Sequence, residues 1–532
     1  MPWCLLVPAL GSALAVILPV AYLVINAVQR DPSRIAADLF RYRTIELLGN
    51  TAALTFGVLV FSSLVALPIA YLTAQTNLRG RSWMALGGVL PLTVPGYIMA
   101  YAILALGGYG GFWHRLTGQV IASPKGYWGA LLALGMYNMP YMYLNLRAAF
   151  SDLDPSLEEA GRSLGHGRLS LLVRVILPQL RPALLSGGLL ISLHVIADFG
   201  VVSLMQFETF SLALYSANET MDRGAFAVPA LVLIMMAMLI LMADVFFLRG
   251  LTLHRVTAGT PRKKSLIELG SWSLVAYLFV VIVIMVGVVA PAGLVVFWFL
   301  QTPLASVADG VLPALARSLA VSFPAAAMAV ALATPIALLV KRYPARWSAI
   351  LGRSAYIGYA IPSLAFALSF IFLSLQIEQK IPMLRGWIYQ GFVPLIIAYS
   401  LHFLAESIGP IRSGLYLATP RLEESARALG VGSWRILMGV TLPLLRNSLI
   451  ISAALVFLSV MKELPITMLL APLNFDTLAV NVWSYSEDAY FAEAAPFALC
   501  ILLSSGGFVW ILLSRGGQTF SGPRKSTADL LV

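Results

Sequence analysis

Ionisable side chains inside long apolar stretches are the residues of this sequence best placed to do chemistry. Asp198 and Glu463 are carboxylates, Lys462 adjoins Glu463, and His194 precedes Asp198 by four residues, which places both on one helix face. Buried charges in apolar stretches mark either a solute pathway or internal pairs. Carboxylate oxygens suit hard cations. The sequence favours the alternative, in which these groups pair with one another or with polar ends of neighbouring helices.

Other reactive patterns are missing from the sequence. No G-x-x-x-x-G-K-[ST] phosphate-binding loop occurs, and neither a Ser/His/Asp arrangement nor an H-E-x-x-H spacing suggests a hydrolase. Cys4 and Cys500 lie in apolar runs without partner spacing, and no metal site is firmly assigned. His402 precedes Glu406 with the same four-residue spacing as His194 and Asp198. Nucleotide chemistry must therefore come from another subunit.

The elements that carry these residues are predicted to be membrane-spanning helices. Hydrophobic residues make up 59% of the 532 positions and charged residues only 11%, with a mean hydropathy of +0.86. Apolar runs of about 20 residues span a bilayer as helices, which satisfy their own backbone hydrogen bonds. We predict an all-α polytopic membrane protein with twelve transmembrane helices, at about 3–28, 50–74, 83–107, 126–147, 183–206, 227–248, 271–300, 313–340, 349–375, 388–409, 446–470 and 491–514.

Positive charge predicts the orientation of these helices. With both termini in the cytoplasm, 24 of the 35 Lys and Arg residues fall in cytoplasmic loops or at their edges. The formal net charge of +11 is then spread over loops that face anionic lipid headgroups, so nucleic acid is not implied.

An internal duplication carries the clearest functional signal. Residues 147–181 match residues 412–446 at an offset of 265, with 15 identities in 35 positions, and weaker matches extend upstream at an offset of 267. Six helices separate corresponding points, so we predict two parallel six-helix repeats. The predicted segments are a first helix and outer loop (1–48), repeat 1 (49–250), a linker, seventh helix and outer loop (251–312), repeat 2 (313–515) and a cytoplasmic tail (516–532).

The duplicated block describes a short surface helix in the longest cytoplasmic loop of each repeat. Asp154 and Thr419 are candidate N-caps, a proline suits the first helical position, two acids follow in the first turn, and a glycine supplies a left-handed stop. Small and apolar residues recur on one face, such as Leu422, Ser425, Ala426 and Leu429. A helix resting on the bundle or headgroups would show the same face, but the duplication favours a docking element for a partner. Its predicted coupling residues are Glu158, Glu159, Gly165, Pro178, Glu423, Glu424, Gly430 and Pro443.

At these residues the sequence resembles the permeases of binding-protein-dependent ABC importers, whose signature is E-A-A, three residues, Gly, nine residues and Ile-x-Leu-Pro. The copies here read Glu159-Ala160-Gly161 to Pro178 and Glu424-Ser425-Ala426 to Pro443, each with one alanine and the isoleucine replaced. The resemblance implies the type I importer fold and a bacterial inner-membrane location. It also implies two ATPase subunits that dock on the coupling helices and bind ATP and Mg, an external solute-binding protein, and no cofactor on this chain.

The resemblance is greatest to fused ferric-iron permeases and covers nearly the whole chain. It is carried by Val94-Pro95-Gly96-Tyr97 with Tyr101, by 197–204, by Met461-Lys462-Glu463-Leu464-Pro465 and by 474–479. It implies ferric iron as the solute and leaves His194, Asp198, Lys462 and Glu463 as pathway candidates. Permeases for thiamine, phosphonates or another small solute share the architecture and stay open as alternatives.

Two other classes of protein remain to be weighed. A secondary transporter can also have twelve helices in two parallel halves. It has no use, however, for an acidic docking helix repeated in the middle of each half. A membrane-embedded enzyme or scaffold would need a catalytic constellation or a large soluble domain, and the sequence offers neither.

Overall fold

The structure is a computed structural model in which helices dominate. It describes residues 3–28, 37, 39–153, 163, 165, 167–219, 227–248, 266–384, 386, 388–389, 391–417 and 420–515. Within these ranges each of the twelve predicted runs coincides with a helix or with two helices joined at a break. The prediction of an all-α polytopic protein is confirmed.

The helices of the first half are numbered in chain order. They are α1 (Trp3–Val28), α2 (Tyr42–Gln75), α3 (Arg81–Gly87), α4 (Gly96–Leu106), α5 (Phe112–Thr117), α6 (Gly126–Asp152), α7 (Arg168–Leu171), α8 (Leu177–Gln179), α9 (Arg181–Ala197), α10 (Gly200–Leu204), α11 (Phe210–Glu219) and α12 (Ala227–Leu248).

The second half continues the numbering. Its helices are α13 (Ser273–Ile284), α14 (Ala290–Phe299), α15 (Leu304–Arg342), α16 (Arg346–Ala360), α17 (Ser363–Lys380), α18 (Phe392–His402), α19 (Leu404–Leu417), α20 (Pro420–Ala428), α21 (Ser433–Ile436), α22 (Leu442–Lys462), α23 (Pro465–Leu470), α24 (Leu478–Glu487) and α25 (Phe491–Arg515). Short 3₁₀ turns occur at Leu90–Thr93, Gly270–Trp272 and Pro382–Leu384, and π-helical turns at Leu172–Ile176, Met285–Val289 and Leu437–Thr441.

Several predicted spans are broken rather than continuous. Among the described residues, four helical stretches are long and apolar enough to cross a membrane: Tyr42–Gln75, Gly270–Phe299, Gly310–Arg342 and Ser433–Lys462. Three bent pairs raise the number to seven, with bends of 88° before Gly96, 102° before Ser363 and 50° before Leu404. Proline explains the first two bends, because Pro95 and Pro362 immediately precede the second helix of each pair and disfavour helical backbone in the residue before them.

The chain divides into two compact units that do not follow sequence order. One, the repeat-1 unit, comprises 49–208, 238–297 and 505–532, and the other, the repeat-2 unit, comprises 1–48, 209–237 and 298–504. The first helix of the chain therefore belongs with the second repeat. The helix that precedes the second repeat belongs almost entirely with the first.

Packing inside each unit explains this exchange. In the repeat-2 unit α1 lies against α15, α16 and α17, and its Ala9 and Ala13 are buried in one apolar cluster with Ile336 and Leu351. In the repeat-1 unit the stretch from α13 to α14 contacts the first repeat. Gly287 lies close to this repeat, since an added Cβ would be 2.8 Å from Met136 Cε and 3.0 Å from Pro91 Cγ.

Candidate functional site

The second copy of the predicted docking helix lies within the described residues. Helix α20 begins at Pro420, as predicted, and the chain then turns through Gly430 at φ 77°. The Val431 N–H donates to Ala426 O at 3.1 Å and the Gly430 N–H donates to Arg427 O at 2.9 Å, which satisfies carbonyls at the helix end. The predicted left-handed stop is confirmed, and Gly165 in the first copy has φ 80°.

Most of the first docking helix lies outside the described residues. This applies to Glu158, Glu159 and the N-cap candidate Asp154, as it does to Thr419 in the second copy. The segments that follow are described in both repeats. The π-helical turns Leu172–Ile176 and Leu437–Thr441 stand at the same 265-residue offset, and each ends one residue before a Leu-Pro pair that opens a new helix. The duplication therefore extends from sequence to backbone geometry.

The two acids of α20 point in different directions. Glu423 is buried, and its Oε1 lies 2.9 Å from Arg342 Nη2 and accepts a hydrogen bond from Thr441 Oγ1 at 3.1 Å. Its Oε2 lies 3.5 Å from the Arg427 guanidinium, one helical turn away. Glu424 is exposed. The sequence treats the pair as one acidic feature, whereas the structure uses Glu423 inside the chain and leaves Glu424 accessible.

Apolar side chains near Glu424 in the sequence are also exposed. Leu422 is 51% exposed and Leu429 is 83% exposed, while Ser425 is exposed and Ala426 half-buried. The described part of the second copy thus offers an apolar and acidic surface of the kind predicted for docking.

Inside the apolar core, Asp198 lies at a break between two helices. Helix α9 ends at Ala197 and α10 begins at Gly200, and Asp198 Oδ1 accepts a hydrogen bond from the Val201 N–H at 2.9 Å. A Cβ built on Gly96, at the start of α4, would lie 3.7 Å from Asp198 Oδ2. The carboxylate therefore caps one short helix beside the N-terminus of another, where the helix dipole favours negative charge.

Glu463 repeats this arrangement in the second repeat. Helix α22 ends at Lys462 and α23 begins at Pro465, and Glu463 Oε1 accepts a hydrogen bond from the Ile466 N–H at 3.3 Å. Both acids therefore bind polar helix ends, and their contact with a solute stays a prediction. The predicted span 183–206 is broken at Asp198, and the predicted span 446–470 is broken at Glu463.

His194 and Lys462 have partners that the sequence did not indicate. The His194 ring stacks on Tyr141 with ring centroids 4.7 Å apart, and its Nδ1 lies 2.8 Å from Leu190 O. Lys462 interacts electrostatically with Glu406, whose Oε2 accepts a hydrogen bond from Ser459 Oγ at 2.6 Å. Glu406 is thus close enough to Lys462 to interact with it electrostatically, which its four-residue spacing from His402 does not indicate.

His402 and Glu406 do not share one continuous helix face. Helix α18 ends at His402 and α19 begins at Leu404 after the 50° bend. The His402 ring lies instead among aromatic rings, 5.2 Å from that of Phe366. The bend therefore separates two residues that the four-residue spacing would have placed together.

The 265-residue offset shows that equivalent positions hold different chemistry. Glu406 and Ser459 in repeat 2 correspond to the stacked pair Tyr141 and His194 in repeat 1, and Lys462 corresponds to Ala197. Comparison of the two repeats at this offset, from sequence alone, would have shown that Glu406 is an acid at a position that holds Tyr141 in repeat 1. Among the described residues, no group of three or more His, Cys, Asp and Glu side chains could hold a metal ion.

Broken spans, a duplicated sequence block and glycine stops at Gly165 and Gly430 are features expected of a transport permease built from two repeats. The family model described as "Binding-protein-dependent transport system inner membrane component" matches residues 66–253 and 333–514. The chain belongs to this family and is a multi-pass inner-membrane transport subunit. Family membership decides against a secondary transporter.

Individual relatives agree with this assignment. The chain is 30% identical over 502 residues to the Fe(3+)-transport system permease protein FbpB 2 of Haemophilus influenzae, covering 93% of this chain and 95% of the relative. It is 24% identical over 498 residues to a probable ABC transporter permease, y4fN, of Sinorhizobium fredii, covering 88% and 86%. A sulfate permease protein, CysT of Salmonella typhimurium, is 23% identical over 235 residues, covering 43% of this chain and 85% of the relative. The last alignment spans less than half of this chain.

Proposed function

We propose that this chain is a transmembrane subunit of an importer that moves ferric iron from an external binding protein into the cytoplasm. Similarity to the iron permease of Haemophilus influenzae over 93% of this chain is the observation that supports iron. Two ATPase subunits dock at the cytoplasmic face, and both termini of the chain lie on that face. ATP and Mg bind to these partners, so the chain has no enzymatic activity of its own.

The surface of α20 supports the docking role. Glu424 and Leu429 are accessible at a helix that the positive-inside rule places in the cytoplasm. Docking of charged and apolar groups together sets both the affinity and the orientation of a partner. The family resemblance gives the equivalent role to Glu159 in the first copy.

The iron pathway is proposed to pass the breaks at Asp198 and Glu463. Broken helices expose backbone groups and carboxylates where they line a cavity, and such places are typical substrate sites in transporters. Weak carboxylate contacts suit Fe(III), a hard cation that the binding protein holds more tightly. His194 and Lys462 lie one turn and one residue before these breaks and are proposed to shape the same pathway.

Uptake by cells that produce the chain tests the solute. Cells lacking their own copy should take up ⁵⁵Fe(III) only when the chain is restored, and uptake should stop when ATP is depleted. Labelled thiamine, phosphonate and sulfate serve as competing solutes, since a sulfate permease is among the relatives. Restoration of one of these uptakes without any iron response would refute the iron assignment and leave the permease class intact.

A further inference from the structure

Glu423 makes contacts that link the docking helix to two long helices of its own unit. Arg342 is the last residue of α15, a helix of 39 residues. Thr441 ends the π-helical turn that leads into α22, and α22 ends at Lys462 beside Glu463. One buried carboxylate therefore joins α20 to the ends of two membrane helices.

These contacts are built to be stiff. Arg342 and Glu423 side chains are 15% and 7% exposed, so water competes little for their charges. A charge-assisted hydrogen bond of 2.9 Å and a hydroxyl at 3.1 Å hold the same oxygen, Glu423 Oε1, from two elements. Movement of α20 must then move both neighbours or break a buried ion pair, which leaves an uncompensated charge.

The first repeat has different residue types at the positions equivalent to Arg342 and Thr441. At the offset of 267, Arg342 corresponds to Gln75, and at the offset of 265 Thr441 corresponds to Ile176. Gln75 Nε2 donates instead to Phe150 O at 2.7 Å, which ties α2 to α6 within the repeat-1 unit. Neither Gln75 nor Ile176 can supply a cation or a hydroxyl to an acid at position 158.

We propose that Arg342, Glu423 and Thr441 form a positioning clamp, made of residue types that two equivalent positions of the first repeat lack, and that this clamp makes the two ATPase contacts mechanically unequal. The proposal rests on the docking role given to α20 under the proposed function. Docking at α20 drives α15 and α22 directly through the clamp. At the positions of the first repeat equivalent to Arg342 and Thr441, Gln75 and Ile176 supply neither a cation nor a hydroxyl. Arg342 is a positioning residue that touches neither solute nor ATPase.

The test compares coupling with assembly in the full chain. Arg342→Gln gives repeat 2 the residue type of repeat 1, and Gln75→Arg is the matched control in repeat 1. Each variant is purified from membranes with its ATPase, and ATP hydrolysis and ⁵⁵Fe(III) uptake are measured in proteoliposomes with iron-loaded binding protein. We expect Arg342→Gln to raise the ATP hydrolysed per iron transported by about fivefold or more, at the low end of coupling effects. The recovered ATPase should be unchanged.

Two further variants separate coupling from folding. Arg342→Lys keeps the cation and should retain most of the parental ratio. Arg342→Gln combined with Glu423→Gln leaves neither of these two buried charges without its partner, and Arg427 is 54% exposed, so the double variant should accumulate in the membrane and still be uncoupled. A parental ratio in this double variant would overturn the clamp, and so would its failure to accumulate, because the pair would then be needed for folding rather than for coupling.

The outcome for the parental chain distinguishes the two proposals. If the parental chain recovers no ATPase, the proposed function fails, and if it transports another solute, the same ratio is measured with that solute. If the parental chain couples transport to hydrolysis and Arg342→Gln does so equally well, only the clamp is refuted. Uncoupling by Gln75→Arg as strong as that by Arg342→Gln would also refute it, because the two repeats would then respond alike.

Discussion

Asp198 and Glu463, 265 residues apart, each cap the short helix that follows a break in an apolar span. Asp198 accepts the Val201 N–H at 2.9 Å and Glu463 accepts the Ile466 N–H at 3.3 Å. The same two acids thus have a structural role in the fold and a proposed role in the iron pathway. Substitutions that preserve one property and remove the other can separate these roles.

Asp198→Asn should preserve the cap and remove the charge. An asparagine oxygen can still accept the Val201 N–H, so thermal stability in detergent should change little, whereas Asp198→Ala should lose about 1 kcal/mol. Combining Asp198→Asn with Glu463→Gln should sharply reduce ⁵⁵Fe(III) uptake if the charges contact iron. Parental uptake by this double variant, at equal membrane expression, would remove both acids from the pathway.

Charge reversal should lower the stability of the chain at Glu423 but not at Glu424. Glu423→Lys places a second cation against Arg342 in a buried position and should destabilise the chain by about 3–5 kcal/mol. Glu424→Lys lies on the exposed face, so the melting temperature should stay within about 2 °C of the parental value. Fluorescence-detected size exclusion after heating compares the two. Equal stability of both variants would contradict the burial of Glu423.

Reversal of the exposed acids should weaken ATPase binding. The combination of Glu159→Lys with Glu424→Lys puts repulsive charge at both docking helices, so ATPase co-purification and iron uptake should fall together. Docking of the binding protein on the outer face should be spared. Parental association and uptake in this variant would show that these helices are not the docking elements.

The glycine stops should tolerate no β-branched residue. Gly430→Val forces a branched side chain into φ 77° and should cost about 1–2 kcal/mol locally while re-aiming α20. Gly432→Ala is the matched control, since Gly432 has φ −66° and no neighbour within 4 Å of an added Cβ. We expect membrane insertion in both variants and lower ATPase co-purification only in Gly430→Val. Equal co-purification would mean that the stop does not aim the helix.

Lys462 and Glu406 should behave as a coupled pair. Lys462→Met alone leaves the Glu406 carboxylate without that cation, and Glu406→Gln alone leaves the ammonium without that anion. The double variant should be more stable than the sum of the two losses predicts, by about 1–3 kcal/mol. Thermal unfolding of the four proteins in one detergent completes the cycle. Additive losses would show that the two side chains do not interact.

Much of this protein follows from local sequence. Hydropathy located twelve apolar runs that coincide with helices in the described residues, because a membrane helix needs about 20 apolar residues wherever it packs. Gly165 and Gly430 identified the two stops, since glycine adopts left-handed backbone without the steric cost that other residues incur. The offset of 265 revealed the duplication and predicted two parallel repeats from the sequence alone.

Only the tertiary structure decided which side chains meet. Glu423 and Glu424 are adjacent and identical in type, yet one binds Arg342, 81 residues away, and the other is exposed. Likewise α1 packs with the second repeat, although it precedes the first repeat in sequence. Lys462 interacts electrostatically with Glu406, which is distant in sequence. Periodicity and composition describe a helix by itself, whereas these contacts depend on how helices distant in sequence pack against one another.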